Sequence, residues 1–289
     1  MTESLCPKVA AVVVTFNRHE LLLRTLESIA SQTTKVDTVV VVDNAADPEL
    51  RSLVTGAHPK AIYIGAAENL GPGGGFGIGL RRARTSVETQ WYWMLDDDSP
   101  PAGNALELAL QVAATTHHSP VGAVGLRGGH VRHGRIRHDL PAGSVSVPTP
   151  AGFLLVDGSI ISERAISSVG YPRADFFIMM EDLEYSLRIG EAGLALLVRP
   201  DDGSTNLYQG SGAPWRGYYQ CRNHLRLVIE RRSLSWLVGW LIREFAIFVH
   251  HVRLRRWSSI RFRARGVVDA VRNHMGRVVD PSVPAGKRT

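Results

Sequence analysis

Three consecutive carboxylates, Asp96, Asp97 and Asp98, close the otherwise apolar stretch WYWMLDDDSP at residues 91–100. Adjacent carboxylates repel, so such a run is either well solvated or neutralised by a cation. If the apolar part is a buried strand, the acids stand at its end. Hard oxygen ligands there suit Mg2+ or Mn2+ held jointly with the phosphates of a substrate. An acidic turn ahead of the helix-starting Ser99, Pro100 and Pro101 accounts for the triplet equally well.

A second acidic pair, Glu181 and Asp182, opens the amphipathic segment MEDLEYSLRIGEAGL. The dipole of a helix keeps a carboxylate at its N-terminus ionised. Such a group serves as a general base when an acceptor hydroxyl lies within hydrogen-bond reach; ordinary helix N-terminal acidity is the alternative. NLGPGGGFGIGLRR, residues 69–82, reads as a glycine-rich loop of the kind whose backbone N–H groups approach phosphates. It contains no GK[ST] and no register of GxGxxG. It is therefore either a glycine turn packed under a ligand or a structural loop. The histidines of HVRHGRIRH read as solvated loop residues. Cys6 and Cys221, the only cysteines, lie far apart and indicate neither a disulfide framework nor a zinc site.

These groups need a scaffold, and its signals are clear in the first half of the chain. VAAVVVTF and DTVVVVDN are β-branched runs, and HELLLRTLESIASQ between them places Leu22, Leu26, Ile29 and Ala30 at helical spacing. Near-continuous apolar strands in a β-α-β unit predict a parallel sheet covered on both faces, with its ligand crevice at the strands' C-terminal ends. AIYIGAA and WYWMLDDD supply two more strands, and GIGLRRARTSV and NALELALQVAAT two helices. Residues 117–150 read as loops and short strands. AGFLLVDGSIISERAISSVG reads as a strand, a turn and a short helix. The Glu181 helix ends at Gly193 and is followed by the strand LALLV.

The 289 residues are 44 % apolar, enough for one large domain or one domain with an appendage. The net charge of +6 conceals two unlike regions: residues 1–215 hold 17 Lys and Arg against 23 Asp and Glu, and residues 216–289 hold 16 against 4. A basic C-terminal region calls for a polyanionic partner. Its stretch LSWLVGWLIREFAIFVHHVRLRRW has a charge-free run, Ser233 to Ile242, of only about half the roughly 20 residues a spanning helix requires. Arg243 and Glu244 interrupt it. Aromatic and apolar residues followed by Arg253, Arg255, Arg256, Arg261, Arg263 and Arg265 suit a helix lying in an anionic interface. Trp236, Trp240, Phe245 and Phe248 precede most of the arginines instead of interleaving with them, which fits a bilayer better than stacked bases. The N-terminus lacks the pattern of a cleavable secretion signal.

In their order along the chain, VVVTFNR, VVVDNA, ENLGPGGGFGIGL, LDDDS and VGYPRADFFIMMEDLEYSLRIGEAG resemble the motifs of the family-2 glycosyltransferases over most of residues 9–215. The resemblance implies an α/β fold of the GT-A type, a Rossmann-like open mixed sheet with helices on both faces. Residues 1–215 form this domain, and residues 216–289 a basic amphipathic helical extension for membrane-surface association. It implies an inverting, divalent-metal-dependent transfer from a nucleotide-sugar. Asp96 and Asp98 hold Mn2+ or Mg2+, with Asp97 nearer the donor sugar. Thr15, Asn17, Arg18, Asp43, Asn69 and Gly74 bind the donor. Asp182 is the general base, and Glu181, Gly158 and Trp215 flank the acceptor. ENLGPGGGF, WYWMLDDDS and GYYQCRNHLRLV look most like actinobacterial galactofuranosyltransferases and rhamnosyltransferases of cell-wall assembly. That likeness implies a UDP- or dTDP-sugar donor and a polyprenyl-linked glycan acceptor. It also implies a cytoplasmic enzyme, peripheral at the inner face of the cell membrane, with no nucleic acid partner. Relatives often carry a metal-ligating His beyond the Glu-Asp motif; here Asn206 or Tyr208 stands nearest in its place. A non-catalytic nucleotide-sugar-binding protein of the same fold is the alternative, and a nucleic-acid-binding protein using the basic tail a weaker one.

Overall fold

The structure is a computed structural model that describes residues 7–115, 119–200 and 213–280. β1 (Val9–Thr15) is buried at every position. Ala10, Val12 and Val14 face one layer with Phe76 and Leu80; Val9, Ala11 and Val13 face another with Leu22, Leu26 and Leu106. Strand side chains alternate between faces, so a strand covered on both is apolar until its end, here Thr15. α1 (His19–Ala30) turns Leu22, Leu26 and Ile29 inward. β2 (Thr38–Asp43), α2 (Pro48–Ala57) and β3 (Ile62–Gly65) follow, with Asp47 capping α2 by accepting from Glu49 N at 2.8 Å.

α3 (Gly71–Ser86) corrects the sequence reading, because the glycine stretch is not a loop. Its glycines lie inside a helix pressed against the sheet. A Cβ on Gly75 would stand 2.7 Å from Val14 Cγ1, and one on Gly79 would collide with Val12. Gly73 and Gly71 likewise pass under the carbonyls of Arg173 and Phe177, and Gly71 needs its φ of +65°. Glycine costs helix stability, but here it admits an approach that no side chain would allow.

β4 (Trp91–Asp96) and α4 (Ala105–Ala114) come next, then β5 (Val121–Gly125) and the hairpin of β6 (Gly128–Arg132) and β7 (Arg135–Leu140). β8 (Thr149–Pro150), β9 (Phe153–Leu154), β10 (Ser159–Ser162) and α5 (Glu163–Val169) lead to a 3-10 turn at Ala174–Phe176. α6 (Glu181–Glu191) and β11 (Ala195–Val198) complete the body. The main sheet has the order β3-β2-β1-β4-β10-β5-β11-β8, and β7-β6-β9 form a smaller one. β3, β2, β1 and β4 run parallel, while β10 is antiparallel to both β4 and β5. This is the open mixed sheet with helices on both faces that the sequence implies.

Three helices end the described chain: α7 (Pro214–Arg231), α8 (Leu234–Arg253) and α9 (Trp257–Val271). α7 buries Tyr218, Tyr219, Arg222, Asn223 and His224. The Tyr218 hydroxyl donates to Asp269 on α9 at 2.7 Å. Arg263 is not one of the exposed arginines expected there: it is 9 % exposed and binds Glu244 on α8 through two nitrogens, at 2.8 and 2.7 Å. Among the described residues no helix is long and apolar enough to cross a membrane.

Candidate active site

β1 and β4 are parallel neighbours with Val14 opposite Asp96, so their C-terminal ends deliver Thr15 and the acidic triplet side by side. The sheet extends in opposite directions from this pair, which makes the crevice between their ends the natural ligand site of the fold. Asp97 is held from three sides. Its Oδ2 accepts from Thr15 Oγ1 at 2.6 Å, its Oδ1 from Arg18 Nη1 at 2.9 Å, and its carbonyl from Thr25 Oγ1 at 2.9 Å. The same Arg18 nitrogen reaches Asp98 Oδ2 at 2.6 Å. Burial lifts the Asp97 carboxyl above its ordinary range despite the Thr15 hydrogen bond and the Arg18 charge.

Asp96 has the opposite surroundings. Burial pushes its carboxyl well above the usual range, and the charges acting most strongly on it, Asp157, Asp98, Asp97 and Glu181, are all acidic. Asp157 was not singled out in the sequence. Its Oδ1 accepts from Asp96 N at 3.1 Å and its Oδ2 from Arg127 Nη2 at 3.1 Å. Asp157 lies in the turn before β10, and only the antiparallel pairing of β10 with β4 carries it back to the triplet. The adjacent dipeptide Asp157-Gly158 is a turn signal, but nothing local in it announces the partner strand.

The other acidic pair arrives on α6. Phe177, Met179 and Met180 precede it with φ of 63°, 69° and 71°, left-handed values that non-glycine residues adopt only under constraint. α7 supplies that constraint. Asn223 Nδ2 donates to the carbonyls of Phe176, Ile178 and Met179 at 2.9, 3.0 and 2.6 Å, and Arg222 Nη2 to that of Phe176 at 3.2 Å. The sequence reading missed Asn223, whose role depends on a segment 44 residues upstream. Glu181 Oε2 is buried with no hydrogen-bond partner. Burial, with Asp182 beside it, pushes the Glu181 carboxyl up to about 8. Asp182 Oδ1 accepts from Leu183 N at 2.7 Å. Burial outweighs that contact and raises the Asp182 carboxyl to about 6. The N–H groups at the helix start limit the rise, so Asp182 stays largely ionised at neutral pH, although above the ordinary carboxylate range.

The remaining sequence candidates have the following surroundings. Asp43 is fully buried, accepting from Ala45 N, Asp47 N and the Tyr63 hydroxyl, so it shapes the turn after β2. Asn69 Oδ1 accepts from Gly71 N at 2.9 Å at the start of α3, and Gly74 is buried in that helix beside Leu70. Asn17 is exposed, with φ 55°. Gly158 has φ +76° with open space above it, and its N–H donates to Met94 O at 2.9 Å. Trp215 packs in the first turn of α7 with Phe177, Ile178 and Met179, on the loop that carries Glu181. Asn206 and Tyr208 lie outside the described residues.

The donor chemistry suits a hard divalent cation: Asp96 and Asp98 offer carboxylate oxygens, and the acidic surroundings of Asp96 favour a positive charge there. Among the described residues no three Asp, Glu, His or Cys side chains converge as a complete ligand set. Oxygens of a substrate diphosphate would fill out the shell.

Residues 10–163 match the family model described as Glycosyl transferase family 2. Over 202 residues the chain is 34 % identical to the galactofuranosyltransferase GlfT1 of Mycolicibacterium smegmatis, covering 64 % of this chain and 66 % of that protein, just under two thirds of its length. Among solved structures, the mannosyltransferase PcManGT from Pyrobaculum calidifontis, in complex with GDP-Man and Mn2+, superposes with a TM-score of 0.58 at 16 % identity. That match covers 93 % of this chain and 88 % of the other. TarS 1-349 of S. aureus in complex with UDP gives 0.54 at 18 % identity, over 75 % and 64 % of the two chains. At these identities the two structural likenesses speak to the fold alone, and the fold they share is GT-A.

Proposed function

The chain belongs to glycosyl transferase family 2, and on that premise we propose that it is a glycosyltransferase that moves galactofuranose or rhamnose from a UDP- or dTDP-linked donor to a hydroxyl of a polyprenyl-linked glycan, with inversion. Of the two sugars, galactofuranose is supported by the relatives named galactofuranosyltransferase. What supports the reading is that the charges acting most strongly on buried Asp96 are acids from three places, the rest of the triplet, Asp157 in the turn before β10 and Glu181 at the N-terminus of α6. On this reading the triplet takes the cation, and the carboxylate next to Glu181 is the base.

In this reading Asp96 and Asp98 hold Mn2+ or Mg2+ against the donor diphosphate; the cation, when bound, offsets charge on the departing nucleotide. Thr15 and Arg18 fix Asp97 on the sugar side. Asn17, Asn69 and Gly74 lie on the nucleoside side, where Asp43 holds the turn that forms the wall. Asp182 takes the proton of the acceptor hydroxyl as that oxygen attacks the anomeric carbon from the face opposite the nucleotide. Glu181, protonated at neutral pH by its burial, leaves the negative charge on Asp182. Gly158 and Trp215 flank the acceptor. The enzyme works at the inner face of the cell membrane, where its acceptor is anchored.

The test is a calorimetric titration with UDP and with dTDP, each in Mn2+ and then in EDTA. Metal-dependent binding of one nucleotide is expected, and it selects the sugars which that nucleotide carries. Binding of neither would refute the donor assignment and return the triplet to an acidic turn.

A further inference from the structure

α8 is built inside out. Between Leu234 and Val249 every exposed residue except Ser235 is apolar. Leu234, Leu237, Leu241, Phe245, Phe248 and Val252 form one outward stripe, with Leu234 76 % and Phe245 69 % exposed. The two charges that interrupt the apolar run in the sequence point the other way. Arg243 Nη1 and Glu244 Oε1 pair at 2.7 Å, and Glu244 binds Arg263 of α9 at 2.7 Å, all three side chains being at most 20 % exposed. Gly239, also on the inner side, lets the β6–β7 hairpin pack so closely that a Cβ there would collide with His133 O.

The stripe runs for about 27 Å at a helical rise of about 1.5 Å per residue. Contiguous exposed apolar surface of this kind marks an interaction site. Among the described residues no element covers it. The surrounding charge identifies the occupant. Exposed Arg232 precedes the stripe; Arg253, Arg255 and Arg256 follow it, and Arg261 and Arg265 stand on the next helix. The four acids of residues 216–280, Glu230, Glu244, Asp269 and Asp280, are each paired with an arginine. An apolar stripe bracketed by arginines complements an anionic bilayer, whose acyl chains take the stripe and whose head groups take the cations.

We propose that the outward face of α8, from Leu234 to Val252, lies in the plane of an anionic membrane and seats the enzyme on it. This deepens, and rests on, the membrane location stated above. It also gives α7 a second meaning, because α7 joins the docking helix to the loop that Asn223 clamps ahead of Glu181. The acceptor side is thereby tied to the surface that would present a lipid-linked glycan.

The experiment is co-sedimentation of the full chain with phosphatidylcholine vesicles, with and without phosphatidylglycerol, in low and high salt. Wild type is compared with Phe245→Glu and with Arg255→Glu/Arg256→Glu, whose side chains are exposed and lie outside the cleft; light scattering reports the mass of each free protein. Binding to anionic vesicles is expected, weakened by about tenfold or more in Phe245→Glu. The arginine variant should lose the salt-sensitive part, and nucleotide binding should stay unchanged in all. Failure of wild type to bind, or equal binding by Phe245→Glu, overturns the proposal. So does a dimer that Phe245→Glu splits, since a second copy would then occupy the stripe. None of these outcomes touches the transfer reaction, which a soluble acceptor reports separately.

Discussion

Arg18 and Asp98 stand 2.6 Å apart, and the same guanidinium nitrogen lies 2.9 Å from Asp97. One cation thus offsets two of the three adjacent carboxylates, both nearly buried, while the charges acting most strongly on Asp96 are all acidic. Breaking a buried pair strands a charge and costs about 3–5 kcal/mol. With the Arg18 side chain about a third exposed, Arg18→Met should cost on the order of 1–3 kcal/mol. Mn2+ should restore part of it, because a divalent ion can take over the neutralisation. The check is thermal unfolding with and without Mn2+: the metal-induced rise in Tm should be larger in the variant than in wild type, and an equal or smaller rise would speak against a cation site at the triplet.

If Asp96 and Asp98 hold a cation against a diphosphate, removing either matters only when the cation is present. Asp96→Ala and Asp98→Ala should each weaken nucleotide binding by about tenfold or more in Mn2+, as the loss of one charge-assisted ligand implies. In EDTA the variants and wild type should bind alike. Equal losses in both buffers would make these carboxylates structural.

Asp182→Asn should leave nucleotide affinity nearly unchanged and reduce transfer by about 10²–10⁴-fold, the span that a positioned base contributes. The pH profile should carry the same group. A base whose carboxyl sits at about 6 loses activity as pH falls below that value, so wild-type transfer should drop on the acid side. The variant's residual rate should show no such limb. A variant that transfers normally would remove Asp182 from the role.

Glu181 gives a stability test independent of catalysis. Its carboxyl is raised from 4.5 to about 8 by burial and by Asp182. The folded state therefore binds this proton more tightly than the unfolded chain does, and stability from this group falls as pH rises from about 4.5 to about 8. Glu181→Gln keeps the shape without the ionisation. It should be more stable than wild type at pH 8 by roughly 1–3 kcal/mol and lose the advantage at pH 5. Denaturant unfolding at the two pH values decides it; a difference independent of pH would mean that Glu181 does not titrate in this window.

The parallel half of the sheet was legible because burial on both faces leaves the middles of β1, β2 and β4 no polar positions, and a chemical reason for Asp96–Asp98 follows once β4 ends there. The glycines of α3 misled because composition cannot distinguish a flexible loop from a helix that must touch Val12 and Val14. Asp157 was invisible for a different reason: antiparallel β10 brings it to Asp96 across 61 residues of chain. Arg243 and Glu244 looked like interruptions of an apolar helix because their direction is set by Arg263, on another helix. Local signals, in short, named the acids but not the residues that hold them.

Asn223 is the sharpest instance of such a holder. One amide nitrogen serves three carbonyls of a loop whose Phe177, Met179 and Met180 occupy left-handed backbone conformations, each costing about 1–3 kcal/mol that the surroundings must offset. Loosening that clamp should let the loop relax and carry Glu181 and Asp182 away from their working positions. Asn223→Ala should lower stability by roughly 1–3 kcal/mol through the unmet carbonyls. It should also reduce kcat beyond any effect on donor binding, since the triplet and Thr15 stand at the ends of β4 and β1, away from the clamped loop. Asn223→Asp tests the donor character itself, because it keeps the size but offers acceptors where carbonyls already point. If the residue merely fills space, Asp should behave like Asn. If it positions the pair, Asp should lose kcat as Ala does and shift the acid limb of the pH profile, because the environment of Asp182 changes with the loop.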